Sequence, residues 1–464
     1  MWKMRNLTIY GRVQIANSLA IPKLLYVCNM LIPSKEFLHN VKKLIVDFVW
    51  NYKKPKVKYN AVIAPMKEGG LNVSDIGCKV KTQQVMWIKR LIAVNNDNVM
   101  SKWKIIPKMY LSKIGGTGCI RSNFRASCSV KEISAFYVSC LNSWSEYTEG
   151  EPQNLNEILI QPLFNNSKIL VSHKPVFYDS LNDIGINSVK SLYNADGTNR
   201  RLFELVEIQS DEYVKLYLPW IAVKSALPSE WKKRLKNNDD MSCDYDVKKH
   251  VVTTEGIIDI NFIVSRTVYS HFVKHITEEP TVFSKLQNTN INCNSKDICQ
   301  LPYRTTIDVK TREFQFKIVH NYLATNSKLC KWKLSDSKRC SFCFLNEETI
   351  IHLFCECHKA VTFYVNIKEW CKNFNVNLPL INNAPELLYG ILPFTKNNWL
   401  ENQLLLLYKQ IVYVGRSNPE KVTLYNFQLK VAEVQQIEWK IAKNKNKEYV
   451  HLKKWERYLH FTNI

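Results

Sequence analysis

The sequence predicts a mainly α-helical protein, and three observations carry that prediction. Apolar residues recur at helical spacing along much of the 464-residue chain. Glycine is scarce, 13 in all, which argues against the glycine-rich phosphate cradles that open Rossmann and P-loop folds. Strand-like stretches are short and few: "KILVSHKPVFY" at 168–178 and "GIIDINFIV" at 256–264.

The elements follow in chain order. Thr8 is placed to cap a first helix, with Leu7 as its apolar neighbour, and Gly11 leaves room for another backbone to approach. After Pro33, a helix is expected with Ser34 as its N-cap. Phe37, Val41, Leu44 and Phe48 share one face, Leu38, Ile45 and Val49 lie beside them, and Lys42 and Lys43 stay outside. A second helix is expected over roughly 310–334, where Phe314, Ile318 and Tyr322 adjoin Phe316, Val319 and Leu323. A third runs through "NQLLLLYKQIVYV" and a fourth through "FQLKVAEVQQIEWKIAK". The polar stretches at 112–123 and 287–297 read as connections, and "KKRLKNNDD" at 232–240 as a solvated loop. Three parts result: 1–110, a helical unit; 111–298, a middle region mixing helices with short strands; and 299–464, a helical unit carrying a close Cys pair.

Charge points to a polyanion. The chain carries a formal net charge of +23 and an isoelectric point near 9.3, an excess that suits nucleic acid. The alternative is a soluble, lysine-rich protein whose charges only solvate it. Lys53, Lys54, Lys56 and Lys58 crowd "KKPKVK", either a phosphate-facing surface or a solvated loop between helices. A second basic run, Lys440, Lys443, Lys445, Lys447, Lys453, Lys454 and Arg457, encloses Tyr449 and Trp455. It reads equally as a surface helix with its aromatics turned inward. No apolar run reaches the ~18 residues of a membrane span, and no charged leader with an apolar core opens the chain, so a soluble, non-secreted protein is expected.

Fourteen cysteines in such a chain should be mostly reduced. One stretch, "CSFCFLNEETIIHLFCEC", sets Cys340, Cys343, His352 and Cys357 in metal-ligand order, with Cys355 as an alternative fourth ligand. Four protein ligands leave no position for water, so such a zinc would be structural. Geometry constrains the set. On an unbroken helix His352 and Cys357 would point roughly 140° apart, so the helix must bend or end between them, or Cys355 takes the place. A set of buried reduced cysteines is the competing reading.

Catalytic signatures are missing. Asp239, Asp240, Asp244 and Asp246 sit in a polar stretch that reads as a solvated acidic loop, unlike the buried strand turn that paired metal-binding carboxylates need. No nucleophile elbow is present. His250, His271, His275 and His320 are scattered singly and read as structural.

"WKMRNLTIYGRVQIANSLAIPKLLYV", "KKLIVDFVWN" and "APMKEGGLNVSDI" resemble the stretch just downstream of the catalytic palm in reverse transcriptases of LINE-type, non-LTR retrotransposons. The segment from "EILIQPLF" to "SLYNADG" resembles the middle, wrist-like part of that family. "LPYRTTIDVKTREFQFKIVHNYLATNSKLCKWKL" through "HLFCEC" resembles its C-terminal region. The resemblance implies a thumb-like unit over 1–110, a wrist-like region over 111–298 and a C-terminal region over 299–464 with a Cys-Cys-His-Cys zinc knuckle. In that family the last ligand follows "HLF" by two residues, which matches Cys357 over Cys355.

The resemblance also implies RNA and DNA as partners, above all the RNA–DNA duplex formed during target-primed reverse transcription, and association with a retroelement RNA particle. No membrane partner is expected, and the expected location is nucleus and cytoplasm. Arg5 and Arg12 share a face that would fork onto phosphates, unless Arg12 pairs with a carboxylate such as Asp47. The "KKPKVK" lysines together with Lys310, Arg312 and Lys317 complete the candidate nucleic-acid surface. The family activity is RNA-directed DNA polymerase, but the fingers and the palm aspartates of that enzyme precede the resembling stretch. No catalytic activity is therefore expected from this chain alone. The alternatives are a non-catalytic helical adaptor or an inert remnant of a truncated retroelement.

Overall fold

Local chemistry starts each helix where the sequence offers a cap. Thr8 Oγ1 accepts a hydrogen bond from Gly11 N at 3.1 Å and opens the Ile9–Ile15 helix. Ser34 Oγ accepts from Phe37 N at 3.1 Å ahead of the Lys35–Val49 helix. Asp75 opens Ile76–Ile92, Asp308 opens Val309–Val319 and Thr423 opens Leu424–Asn444. The computed structural model describes residues 6–93, 101–112, 114–118, 120–125, 134–194, 198–206, 211–236, 245–246, 248–280 and 295–462. The fold is mainly α, with two small two-stranded antiparallel sheets among the described residues.

The chain divides into two units that ignore chain order: Met1–Ala20, Lys42–Ser74 and Thr277–Ile464 form one, and Ile21–Val41 and Asp75–Ile276 form the other. The first unit has a helical core in which Phe314, Phe354, Tyr364, Trp370, Tyr408, Phe427 and Trp455 are buried. Short N-terminal pieces join it. Ile9 N donates to Glu313 Oε2 at 2.9 Å, a carboxylate placed at the positive end of a helix, and Tyr303 donates to Tyr10 Oη at 2.7 Å. Among the described residues the second unit packs around Val85, Cys140, Trp144, Val251 and Val268 and around Leu159, Phe164, Leu181, Val189 and Trp220. Its sheets pair Leu170–Val171 with Lys174–Pro175 and His250–Thr253 with Gly256–Asp259.

Several expectations change in detail. The Lys35–Val49 helix buries Val41, Ile45 and Val49, while Phe37 and Leu44 are exposed, so its inward stripe is rotated from the one expected. The single helix expected over 310–334 is two, Val309–Val319 and Asn326–Lys331. The break has a local cause. Asn321 adopts φ 52°, its N–H bonds to Ile318 O at 2.9 Å, and Tyr322 N bonds to Lys317 O at 2.9 Å, a Schellman stop with Tyr322 packed on Phe316. The start of the loop expected over 232–240 belongs to the Ser229–Lys236 helix, which buries Trp231 and Leu235 one turn apart. A Cβ on Gly11 would meet only the Leu7 and Thr8 side chains of its own turn, at ordinary distances. Close backbone approach belongs to Gly70 instead, where a Cβ would lie 1.9 Å from Ala64 O.

Among the described residues no helix is long and apolar enough to cross a membrane. Asp239, Asp240 and Asp244 lie outside the described residues.

Candidate metal centre

Residues 338–348 form a tight hairpin that begins the site. Glu348 N bonds to Lys338 O and Cys340 N to Asn346 O, both at 2.8 Å, and Arg339 bridges Glu347. Within the turn Phe344 N returns to Cys340 O at 2.9 Å with Phe344 at φ 59°, and Phe342 N points at Cys340 Sγ at 3.4 Å. Two sulfurs are thereby turned to one side of the hairpin. Thr349 Oγ1 then accepts from His352 N at 3.0 Å and starts the helical turn that carries the imidazole.

The angular problem between His352 and Cys357 is solved by a wider turn. Residues His352–Glu356 are π-helical, and Cys357 N bonds to His352 O at 2.7 Å, five residues back. A turn closed over five residues brings residues five apart to nearly the same side. Cys357 itself leaves helical geometry, at φ −65° and ψ 117°, and serves as N-cap of the His358–Lys372 helix. The buried Tyr408 hydroxyl donates to Phe354 O at 2.8 Å and braces the π-turn from below.

Cys340, Cys343, His352 and Cys357 consequently present ligand atoms all within 4.8 Å of one another. Cys340 Sγ and Cys357 Sγ are 3.8 Å apart, and Cys343 Sγ and His352 Nε2 are 3.4 Å apart. A tetrahedral ion with Zn–S near 2.3 Å and Zn–N near 2.0–2.1 Å requires edges of about 3.8 Å between sulfurs and about 3.5 Å between sulfur and nitrogen. Two edges of the cluster thus match those of a closed zinc site, and its donor set is the soft one zinc takes. Cys340, His352 and Cys357 are buried and Cys343 half-buried. The Cys357 thiol is pushed down to about 7 by the hydrogen bond from Cys340, helped by the Ala360 and Lys359 N–H groups of the helix it caps. Cys355 takes no part: it is buried among apolar neighbours, and burial pushes its thiol up to about 12.

Two features beside this centre escaped the sequence reading, and one of them, Glu348, holds the hairpin in place. Glu348, fully buried, accepts from Asn326 N at 2.9 Å, Ser341 N at 2.8 Å and Arg416 Nη1 at 2.6 Å. Glu356 Oε2 stands 3.8 Å from His352 Nδ1, the ring nitrogen facing away from the cluster. The signal for Glu348 was its place inside the Cys–His interval; nothing in the sequence pointed to Arg416, far along the chain.

The candidate nucleic-acid residues do not form one set. Arg5 lies outside the described residues. Arg12 is half-buried and donates through Nη2 to Leu7 O at 2.6 Å; its Nε is buried without a partner, and its charge faces Glu313 while Asp47 plays no part in its bonding. Lys53 and Lys54 are exposed. Lys56 lies 3.7 Å over the Trp332 ring, and Lys58 pairs with Glu278 at 3.3 Å. Lys310 is exposed, Arg312 Nε is held by Thr306 O at 2.8 Å, and Lys317 pairs with Glu313 at 2.7 Å. In the second basic run Lys454 and Trp455 turn inward onto Glu438, while Tyr449 stays exposed.

Residues 281–363 match the family described as zinc-binding in reverse transcriptase, which spans all four ligands. The chain is also similar to the Transposon TX1 uncharacterized 149 kDa protein of Xenopus laevis, 26% identical over 179 residues, 36% of this chain. The match spans 13% of that protein's length. With a Cys3His cluster inside the matched segment, the chain carries a zinc-binding region related to that of retrotransposon reverse transcriptases.

Proposed function

We propose that this chain is a nucleic-acid-holding part of a LINE-type reverse transcriptase, gripping RNA template and primer duplex during target-primed reverse transcription. One observation carries the reading: a preformed Cys3His cluster lies within a segment matched to reverse-transcriptase zinc-binding regions, on a chain with a net charge of +23. In this reading Cys340, Cys343, His352 and Cys357 hold a structural zinc. Four protein ligands fill its coordination, so the ion fixes the hairpin and π-turn rather than activating water. Exposed Lys53, Lys54 and Lys310 supply phosphate contacts that follow the backbone of a duplex and read no sequence. The partners are RNA and DNA, the setting is a retroelement RNA particle, and the location is nucleus and cytoplasm.

The test is binding of a fluorescein-labelled RNA–DNA heteroduplex to the zinc-loaded chain across a salt series. Affinity should fall steeply and linearly on log–log axes, by about 0.7–0.9 per phosphate neutralised. Affinity that is flat in salt, or absent, rejects the reading and favours a protein-docking adaptor.

A further inference from the structure

A cleft of about 1010 Å³ opens within the unit formed by Ile21–Val41 and Asp75–Ile276. None of the residues assigned above lines it. Its walls are Lys79, Trp87 and Arg90 on one face of the Ile76–Ile92 helix, Tyr137 at the start of Ala135–Thr148, and Arg266 and Tyr269 on Ser265–Lys274. The opposite face of the first helix, with Val85, Ile88 and Ile92 in the core, is ordinary packing. The cleft face is different: Arg90 and Arg266 are exposed, and Lys79, Trp87, Tyr137 and Tyr269 are half-buried.

Two properties narrow what fits there. The first is charge. Three cations converge and, among the described residues, no carboxylate lines the cleft, which suits a ligand that brings the negative charge. The second is the presence of aromatic rings already ordered by their neighbours. Trp87 and Tyr137 meet at 6.0 Å and 67°, and Lys79 Nζ lies 4.2 Å over the Tyr269 ring. Rings held this way lose little further freedom when a planar group stacks on them. Gln83 Oε1, on the same wall, is buried without a hydrogen-bond partner and can accept from an amino or imino group. Cations interleaved with aromatic faces suit a chain of phosphates that also offers flat, unpaired bases. A duplex keeps its base faces inside its own stack, so the cleft selects a single strand.

We propose that this cleft binds the unpaired bases and adjoining phosphates of a single-stranded nucleic acid. The inference rests on the nucleic-acid reading above and adds a second, separate site to it. The test compares a fluorescein-labelled ten-nucleotide oligouridylate with an abasic strand of equal length on the full zinc-loaded chain. The oligouridylate should bind about tenfold tighter. The Arg90→Glu, Arg266→Glu double variant, altered only at exposed positions, should lose at least tenfold in oligouridylate affinity while heteroduplex affinity changes less than twofold. A 4-thiouridine oligonucleotide should crosslink within 79–90, 134–137 or 265–269.

Equal affinity for base-bearing and abasic strands, or crosslinks confined to other segments, overturns the proposal. So does displacement of the oligouridylate by an equimolar Glu-Tyr copolymer, which would mark the cleft as a site for acidic peptide. If heteroduplex binds while the double variant leaves oligouridylate binding intact, the cleft assignment alone fails. If neither nucleic acid binds, the broader reading fails with it.

Discussion

Glu348 Oε1 and Arg416 Nη1 lie 2.6 Å apart, with the Glu348 side chain fully buried and that of Arg416 16% exposed. The pair ties the end of the Trp399–Gly415 helix to the metal-binding hairpin, because the other Glu348 oxygen accepts from Ser341 N, inside the Cys340–Cys343 turn. Arg416 is in turn stacked 4.1 Å from the Tyr413 ring, which fixes its direction.

Removing the carboxylate leaves Arg416 Nη1, on a mostly buried guanidinium, and two backbone N–H groups without acceptors, while Arg416 Nε keeps Tyr413 O. Glu348→Ala should therefore cost about 3–5 kcal/mol in urea unfolding of the zinc-loaded chain. Glu348→Gln retains the shape and one acceptor and should lose less. Loss of zinc at lower chelator concentration should accompany the Ala variant, since the ligating turn is what Glu348 holds. Identical chelator midpoints for wild type and Glu348→Ala would separate the pair from the metal centre.

The neighbouring cysteines should behave oppositely. Cys357→Ser removes a sulfur that stands 3.8 Å from Cys340 Sγ, and elemental analysis should find zinc well below one ion per chain. Cys355→Ser, two residues away but buried in the apolar core, should retain full zinc and lose about 1–3 kcal/mol by placing a hydroxyl among apolar neighbours. Zinc lost in both variants, or in Cys355→Ser alone, would mean a different fourth ligand.

These two cysteines also mark how far the sequence could be read. Apolar spacing made the helical class and the 424–444 helix legible, because burial on one face leaves a regular period, whereas the 399–415 helix, buried all round from Leu400 to Lys409, showed as an apolar run. That Cys340, Cys343 and His352 come together was legible from their spacing. The choice between Cys355 and Cys357 depended on a π-turn, which carries no strong sequence signature and is held from outside by Tyr408. The stop at Asn321 was present in the sequence as an Asn, but an apolar period continuing through Tyr322 and Leu323 masked it. The aromatic cleft escaped because its walls come from four helices separated by many residues, and no local pattern encodes their meeting.

His320 supplies a pH prediction. Burial pushes its imidazole down to about 4, against the opposing hydrogen bond from its Nε2 to Gly69 O at 2.8 Å. An unfolded chain protonates the same group near 6.5, so between pH 6.5 and about 4 the unfolded state binds more protons. The stability of the folded form is full above that window and declines as pH falls through it, by up to about 3 kcal/mol. His320→Gln, which keeps a donor for Gly69 O but does not titrate, should show a flatter decline. The zinc ligands titrate in both proteins and cancel in the difference. Equal slopes from pH 6.5 to 4 in chemical denaturation would remove His320 from the account.

The lysines separate by their surroundings, and salt dependence should show it. Lys53 and Lys54 are exposed, whereas the Lys317 charge is neutralised by Glu313 at 2.7 Å. A cation that already has a carboxylate partner releases few counterions from a nucleic acid, because binding a phosphate requires it to leave that partner. The Lys53→Gln, Lys54→Gln double variant should therefore lower the log–log salt slope for duplex binding by about 0.9 per lysine. Lys317→Gln should leave it unchanged. A similar fall in slope for both variants would show that net charge alone governs binding. A fall for Lys317→Gln only would confine the phosphate track to the Val309–Val319 helix, which also carries Lys310, and remove Lys53 and Lys54 from it.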